Sequence, residues 1–193
     1  MTPGARSIYG TIHMSPSTTV VLGALLVAAA GAADGVRTEH VGLRFTVPAP
    51  WTRVPAPSDV RAGQWRIPGA DGTGDGELVL FFFGRGKGGG VDDNLERWYG
   101  QVEQPDKRPS REAAVVTTRT VNGLRVTSVD VAGTYRGMGI GGPAEPKPGS
   151  RLLAAVVEGA DGPWFFRAVG PAATIAAAKG SFDGLLASLE AHR

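Results

Sequence analysis

The chain is expected to fold as an α+β domain: a mainly antiparallel β-sheet packed by two main helices, in the order β-β-β-α-β-β-β-β-α. Three observations carry this expectation. Short apolar or alternating runs, bounded by Gly and Pro, recur along most of the chain and read as strands. Two stretches instead place apolar residues three and four apart, which is one face of a helix. Those two stretches do not alternate regularly with the strands, so a parallel βαβ sheet is disfavoured.

Composition bounds the function classes. Of 193 residues, 42% are hydrophobic and 20% charged, enough apolar material for one ordinary core. Cys is absent, which removes disulfides, thiolate metal sites and thiol nucleophiles. Lys and Arg number 20 against 18 Asp and Glu, a net charge of +2. The densest basic cluster, Lys107-Arg108 with Arg111, is short and broken by Pro109. A nucleic-acid surface needs a basic patch interleaved with aromatics, so no nucleic-acid partner is expected.

The amino end reads as a secretory signal over residues 1–32. Val20 to Ala32 is a sustained apolar run, shorter than the ~20 residues that span a bilayer as a helix. Ala30-Gly31-Ala32 has the small-x-small form of a cleavage site. The preceding segment carries only Arg6 and His13 as basic groups, and Met14 is a possible start. Cleavage would leave no membrane span and an exported, periplasmic or extracellular protein; an uncleaved anchor is the alternative. Residues 33–41 read as a polar lead-in, and 42–191 as a single domain.

Within that domain, Leu43, Phe45 and Val47 alternate with Arg44 and Thr46, a half-buried strand. Pro48, Pro50, Pro55 and Pro57 make a loop anchored by Trp51. Val60–Ile67 is a second strand, and Glu77–Phe83 the most apolar one, expected at the centre. Gly84–Gly90 is a flexible connection. Asp92 and Asp93 then cap a helix running to about Gln104, since acids suit the positive helix end. Its inner face is Val91, Leu95, Trp98, Tyr99 and Val102.

Pro105–Arg111 is a linker. Ala113–Val121 and Leu124–Tyr135 flank Asn122-Gly123, the strongest short hairpin signal. Arg136–Gly149 is a long Gly/Pro loop. Arg151–Glu158 is an apolar run fit for a strand covered on both faces, and Trp164–Gly170 its return partner. Pro171 opens a closing helix whose inner stripe is Ile175, Ala178, Phe182, Leu185, Leu186 and Leu189.

The chemistry-bearing motifs are few. Gly84-x-Gly86-x-x-Gly89 has the spacing of a phosphate cradle. The acids that follow it repel an anion, and no parallel unit follows, so a plain connection is the better reading. Asp71 to Gly76 resembles the first half of a calcium loop, but Phe82 stands at its twelfth position, so it reads as a turn. The three His residues, His13, His40 and His192, all lie outside the expected domain core, which leaves no triad or His metal site. Asp92, Asp93 and Glu96 read as capping charge before catalytic carboxylates. Asn94, Arg97, Trp98 and Gln101 share one helix stripe, with Trp98 in the core and Arg97 and Gln101 as a polar rim.

Several of these residues carry a resemblance. Phe45-Thr46-Val47-Pro48 with Trp51, the Asn94, Arg97, Trp98, Gln101 helix, Arg151-Leu152-Leu153 to Glu158, and Gly162-Pro163-Trp164-Phe165-Phe166-Arg167 with Gly170-Pro171 resemble a group of uncharacterised bacterial exported proteins. More distantly, the layout from Gly42 to Glu190 resembles the PsbP-like fold, which implies an α/β/α sandwich. PsbP itself is an extrinsic subunit of the photosynthetic oxygen-evolving complex. Nothing here matches its ion-related residues, and none is carried over.

The functional expectation is an exported, non-enzymatic domain that binds a protein partner or small ligand. Contacts are expected at Arg97, Gln101, Met138 and Ile140, because a long loop without structure of its own is usually functional or disordered. No cofactor or metal is expected. Rival readings are a carboxylate-dependent hydrolase, marked by a deep pocket with two or more buried acids, and an envelope structural protein.

Overall fold

The computed structural model describes residue 1 and residues 35–56, 60–70, 72–139, 142–143 and 145–192. The expected signal over 1–32 lies, apart from Met1, outside the described residues. All described strands and helices belong to the compact unit Ala32–Arg193.

The elements, in chain order, are β1 (Gly35–His40), β2 (Leu43–Pro48), β3 (Thr52–Arg53), β4 (Arg61–Ile67), β5 (Gly76–Phe82), α1 (Val91–Gly100), β6 (Val102–Glu103), α2 (Ser110–Ala113) and β7 (Val115–Val121). They continue as β8 (Leu124–Tyr135), β9 (Met138–Gly139), β10 (Gly142–Pro143), β11 (Lys147–Glu158), β12 (Trp164–Pro171), α3 (Ala172–Ala187) and β13 (Glu190–Ala191). Among the described residues the main sheet runs β3-β4-β5-β12-β11-β8-β6, with β7 also on β8. Every pairing in it is antiparallel. The α+β expectation is met.

The sheet has two covered faces, because β11 and β12 send alternate side chains both ways. One set, Leu153, Ala155, Val157, Phe166 and Ala168, packs under α3 together with Leu43, Phe45 and Val47 of β2. The other, Leu152, Ala154, Val156, Phe165 and Val169, packs under α1 with Trp98, Val129 and Val131. The result is a helix–sheet–helix sandwich. Its core is continuous through β11, whose residues from Leu152 to Val157 are all at most 2% exposed. The α3 stripe is buried as expected, with Phe182 at 2% and Leu186 at 0%.

Several boundaries differ, each for a physical reason. The lead-in Gly35–His40 is strand: it pairs with β2 from Gly35↔Pro48 to His40↔Leu43, in a second sheet β1-β2-β13. Its polar composition hid it, because it lies at an edge and is mostly exposed. Helix α1 stops at Gly100, not near Gln104. Val102 and Glu103 instead pair with Tyr135 and Thr134. This close approach needs Gly133, where a Cβ would lie 2.6 Å from the Glu103 carbonyl oxygen. Asp93 does cap α1, but as the third residue, accepting from the Gly90 N–H at 2.9 Å. The central strand is β12, with β5 beside it. The Pro105–Arg111 linker runs into α2, and the 136–149 loop holds the β9–β10 pair. Pro171 ends β12 rather than lying in the first turn of α3. The Asn122-Gly123 hairpin is as expected: both residues have positive φ, 47° and 82°, as a type I′ turn requires.

Candidate functional site

Helix α1 covers the β8–β11 part of its face and packs on those two strands. The part of the same face formed by β12, β5 and β4 lies beyond it. Register places Arg167 opposite Val79, and Val79 opposite Gln64. Side chains two apart share a face, so Glu77, Phe81 and Gln64 stand on the Arg167 side. Phe165 and Val169, two residues either way from Arg167, belong to the core under α1.

Arg167 is the unusual group. It is half-buried on the central strand, with its guanidinium 5.3 Å from the centroid of the Phe81 ring. Its Nε is shut off from solvent and has no hydrogen-bond partner. Among the described residues no carboxylate pairs with it. A charged N–H removed from water without an acceptor is costly, and a cation–π contact of ~0.5–2 kcal/mol offsets only part of that. Arg151, on the opposite face of neighbouring β11, shows the usual solution: Asp130 accepts from its Nε and Nη2, each at 2.7 Å.

Around Arg167 the polar groups are already engaged with each other. Arg61 donates to Gln64 at 2.9 Å, Gln64 donates to Glu77 at 3.1 Å, and Arg61 lies 3.7 Å from the Glu77 carboxylate. Tyr135 is only 8% exposed. Burial pushes its phenol above the ordinary 10.0; Arg167 opposes this, Glu77 adds to it and Arg61 opposes it. Glu77 and Tyr135 also line a cavity of about 400 Å³ with Lys147, Ser150 and Val169. The aromatic side continues through Phe83, 38% exposed, whose ring centroid is 6.2 Å from that of Phe81 and 5.9 Å from that of Phe165. Among the described residues the arrangement is a cation without a paired anion, on an aromatic floor, beside a cavity with a buried phenol.

The residues expected to make contacts sit as follows. Arg97 is exposed and donates to Asn94 at 2.7 Å. Gln101 is half-buried, and its side-chain oxygen is buried without a partner. Arg97 is on α1 and Gln101 is the residue that caps its end, on the Arg167 side of the sheet. The backbone of Met138 pairs with Pro143, and Ile140 lies outside the described residues. Arg167 is inconspicuous in the sequence because it stands in an aromatic strand. The available signal was a single charge inside the run from Trp164 to Val169.

The other motifs settle differently. The Gly-rich connection borders a cavity of about 390 Å³ that includes Lys87 and Glu158. The Asp93 carboxylate already takes the Gly90 N–H there, and its charge with that of Asp92 disfavours an anion at this helix end. In the candidate calcium motif, Asp75 accepts from Gly69 N–H at 3.0 Å and from Arg66 at 2.8 Å, and Asp71 lies outside the described residues. Among the described residues, no group of three or more His, Asp or Glu is placed to hold a metal. Nor does any acid count among the buried polar residues, which are Asn94, Gln104, Ser110, Thr127, Ser150 and Thr174. No helix among the described residues is long and apolar enough to cross a membrane.

No protein-family model and no curated protein matches the chain. Solved structures do. PA94 of Pseudomonas aeruginosa, a protein of unknown function, is 8% identical with a TM-score of 0.46, over 82% of this chain and 98% of its own. LpqN of Mycobacterium tuberculosis, involved in cell envelope biogenesis, is 12% identical with a TM-score of 0.47, over 83% and 86%. The cyanobacterial PsbP, CyanoP, of Synechocystis sp. PCC 6803 is 14% identical with a TM-score of 0.50, over 85% of this chain and 96% of its own. At that identity the likeness concerns fold, and the fold is PsbP-like.

Proposed function

We propose that the protein is an exported, non-enzymatic binding domain that takes a small organic anion, a carboxylate with a flat apolar body, on the β4–β5–β12 face. The observation that carries this is Arg167, a half-buried cation over Phe81 with no anionic partner among the described residues. A carboxylate would supply the missing charge-assisted hydrogen bonds, worth about 1.5–3 kcal/mol. Phe81 and Phe83 would receive the apolar body, and Arg97 and Gln101 would border it. The absence of buried acids among the described residues favours binding over carboxylate hydrolysis.

The test compares benzoate with its neutral isostere benzamide in equilibrium binding. Benzoate should bind more tightly, and Arg167→Gln should weaken it about tenfold or more. Equal binding of the two probes, or an unaffected variant, contradicts the assignment. Export rests separately on the Val20–Ala32 leader. The protein recovered from its native host should begin near Ala33, read by mass spectrometry; an intact Met1 or Met14 start in the cytosol contradicts it.

A further inference from the structure

The outer edge strands β3, β1 and β7 are treated unequally. An exposed edge invites another strand, and proteins usually blunt it with charge, Pro or brevity. The edge formed by β3 has two residues and lies between Pro50 and Pro55. The edge formed by β1 carries Arg37 and Glu39, ion-paired to Glu190 and Arg44. The edge formed by β7 has seven residues, Val-Val-Thr-Thr-Arg-Thr-Val, without Pro or acid. Val115 and Val116 are 65% and 44% exposed. Its one charge, Arg119, is drawn off the edge to the Asp183 carbonyl oxygen of α3 at 3.1 Å.

The register shows which backbone groups are free. A two-residue turn closes on a hydrogen-bonded pair, here Val121 and Leu124, and bonded pairs then alternate along the ladder. Arg119, Thr117 and Val115 therefore bond to β8. Val116, Thr118 and Thr120 point their N–H and C=O groups outward. We propose that β7 pairs antiparallel with β7 of a second copy of this chain, about a two-fold axis at Thr118, joining the main sheets of two molecules.

Self-complementarity identifies the occupant as a second copy. With the axis at Thr118, each outward residue meets an outward residue: Thr118 faces the partner's Thr118, and Val116 faces the partner's Thr120. About six new backbone hydrogen bonds form. On the other side of the strand Arg119 faces the partner's Thr117, and Val115 faces the partner's Val121. No like charges oppose each other. An axis at Arg119 would set two guanidinium groups opposite one another, which is unfavourable. A two-fold pairing of this kind closes on itself as a dimer.

The chain has no Cys, so a single introduced thiol reports only on contact between molecules. Thr118→Cys should crosslink efficiently with a reagent spanning about 5 Å, the separation of directly opposed side chains. Thr120→Cys, on the same face and also exposed, should not, because its copy lies four residues along, about 14 Å away. The parent should sediment as a dimer and Thr118→Pro as a monomer with unchanged circular dichroism, since that N–H does not serve β8. If Thr118→Pro fails to fold, Thr118→Lys should give the monomer by opposing two like charges. A monomeric parent, an open higher assembly, equal crosslinking at both positions, or a dimer that survives Thr118→Lys overturns the proposal.

Discussion

Two residues carry most of the meaning at the smallest scale. Arg167 combines partial burial with the absence of a described counter-ion and of an acceptor for its Nε–H. Replacing it by Met should leave stability within about 0.5 kcal/mol of the parent or above it, since an apolar side chain of similar length removes an uncompensated charge. A purely structural arginine would show a clear loss in chemical denaturation. His40 is the second. Its ring stacks on Phe45 at 6.3 Å and meets Trp65 edge-on at 5.8 Å, and its Nε2 is buried without a partner. Burial, helped by the charge of Arg53, lowers its pKa below the ordinary 6.5. The fold thus favours neutral His40, and this contribution is complete above 6.5 and lost as pH falls through the folded value. The melting temperature should drop as pH falls below about 6.5, and His40→Phe should flatten that drop. Glu39 and Asp75, with pKa values lowered from 4.5 and 3.8 by their arginine and backbone donors, act only at lower pH. An equal drop in the variant would show that His40 is not its source.

At the scale of elements, α3 tests the packing. Phe182 sits at 2% exposure in the middle of the buried stripe, so Phe182→Ala should cost about 3–5 kcal/mol. The two glycines flanking it do not serve close approach to a strand, since a Cβ at Gly180 or Gly184 meets nothing within 4 Å. They merely weaken the helix. Gly180→Ala and Gly184→Ala should each stabilise by about 0.5–1 kcal/mol, seen as a raised denaturation midpoint. A loss instead would mean that the helix approaches something there. Elements with strong periodicity were legible: α3, β5, β11, β12 and the β7–β8 hairpin announce themselves through apolar spacing and Asn122-Gly123. Short or polar elements were not. β3, β6, β9, β10 and β13 have two residues each, too few to show a period. β1 is held by pairing along β2 rather than by burial of its own side chains.

For the whole molecule, the sandwich sets the site. A helix on each face leaves β4, β5 and part of β12 outside the shadow of α1, and the central strand delivers a charge into that opening. The layers could be read from the sequence because both faces of β11 are apolar. The site could not, because only the sheet order brings Arg167 beside Phe81, Glu77 and Tyr135, residues scattered over three strands. The most direct measurement is a nitrogen-15 NMR titration of the parent with benzoate, following the Arg167 Nε–H. That proton has no acceptor in the structure, so a carboxylate at the guanidinium should move its resonance in a saturable way, together with the amides of Phe81 and Gln64. An unmoved Arg167 Nε–H, or shifts confined to the Gly84–Val91 connection, would contradict the account.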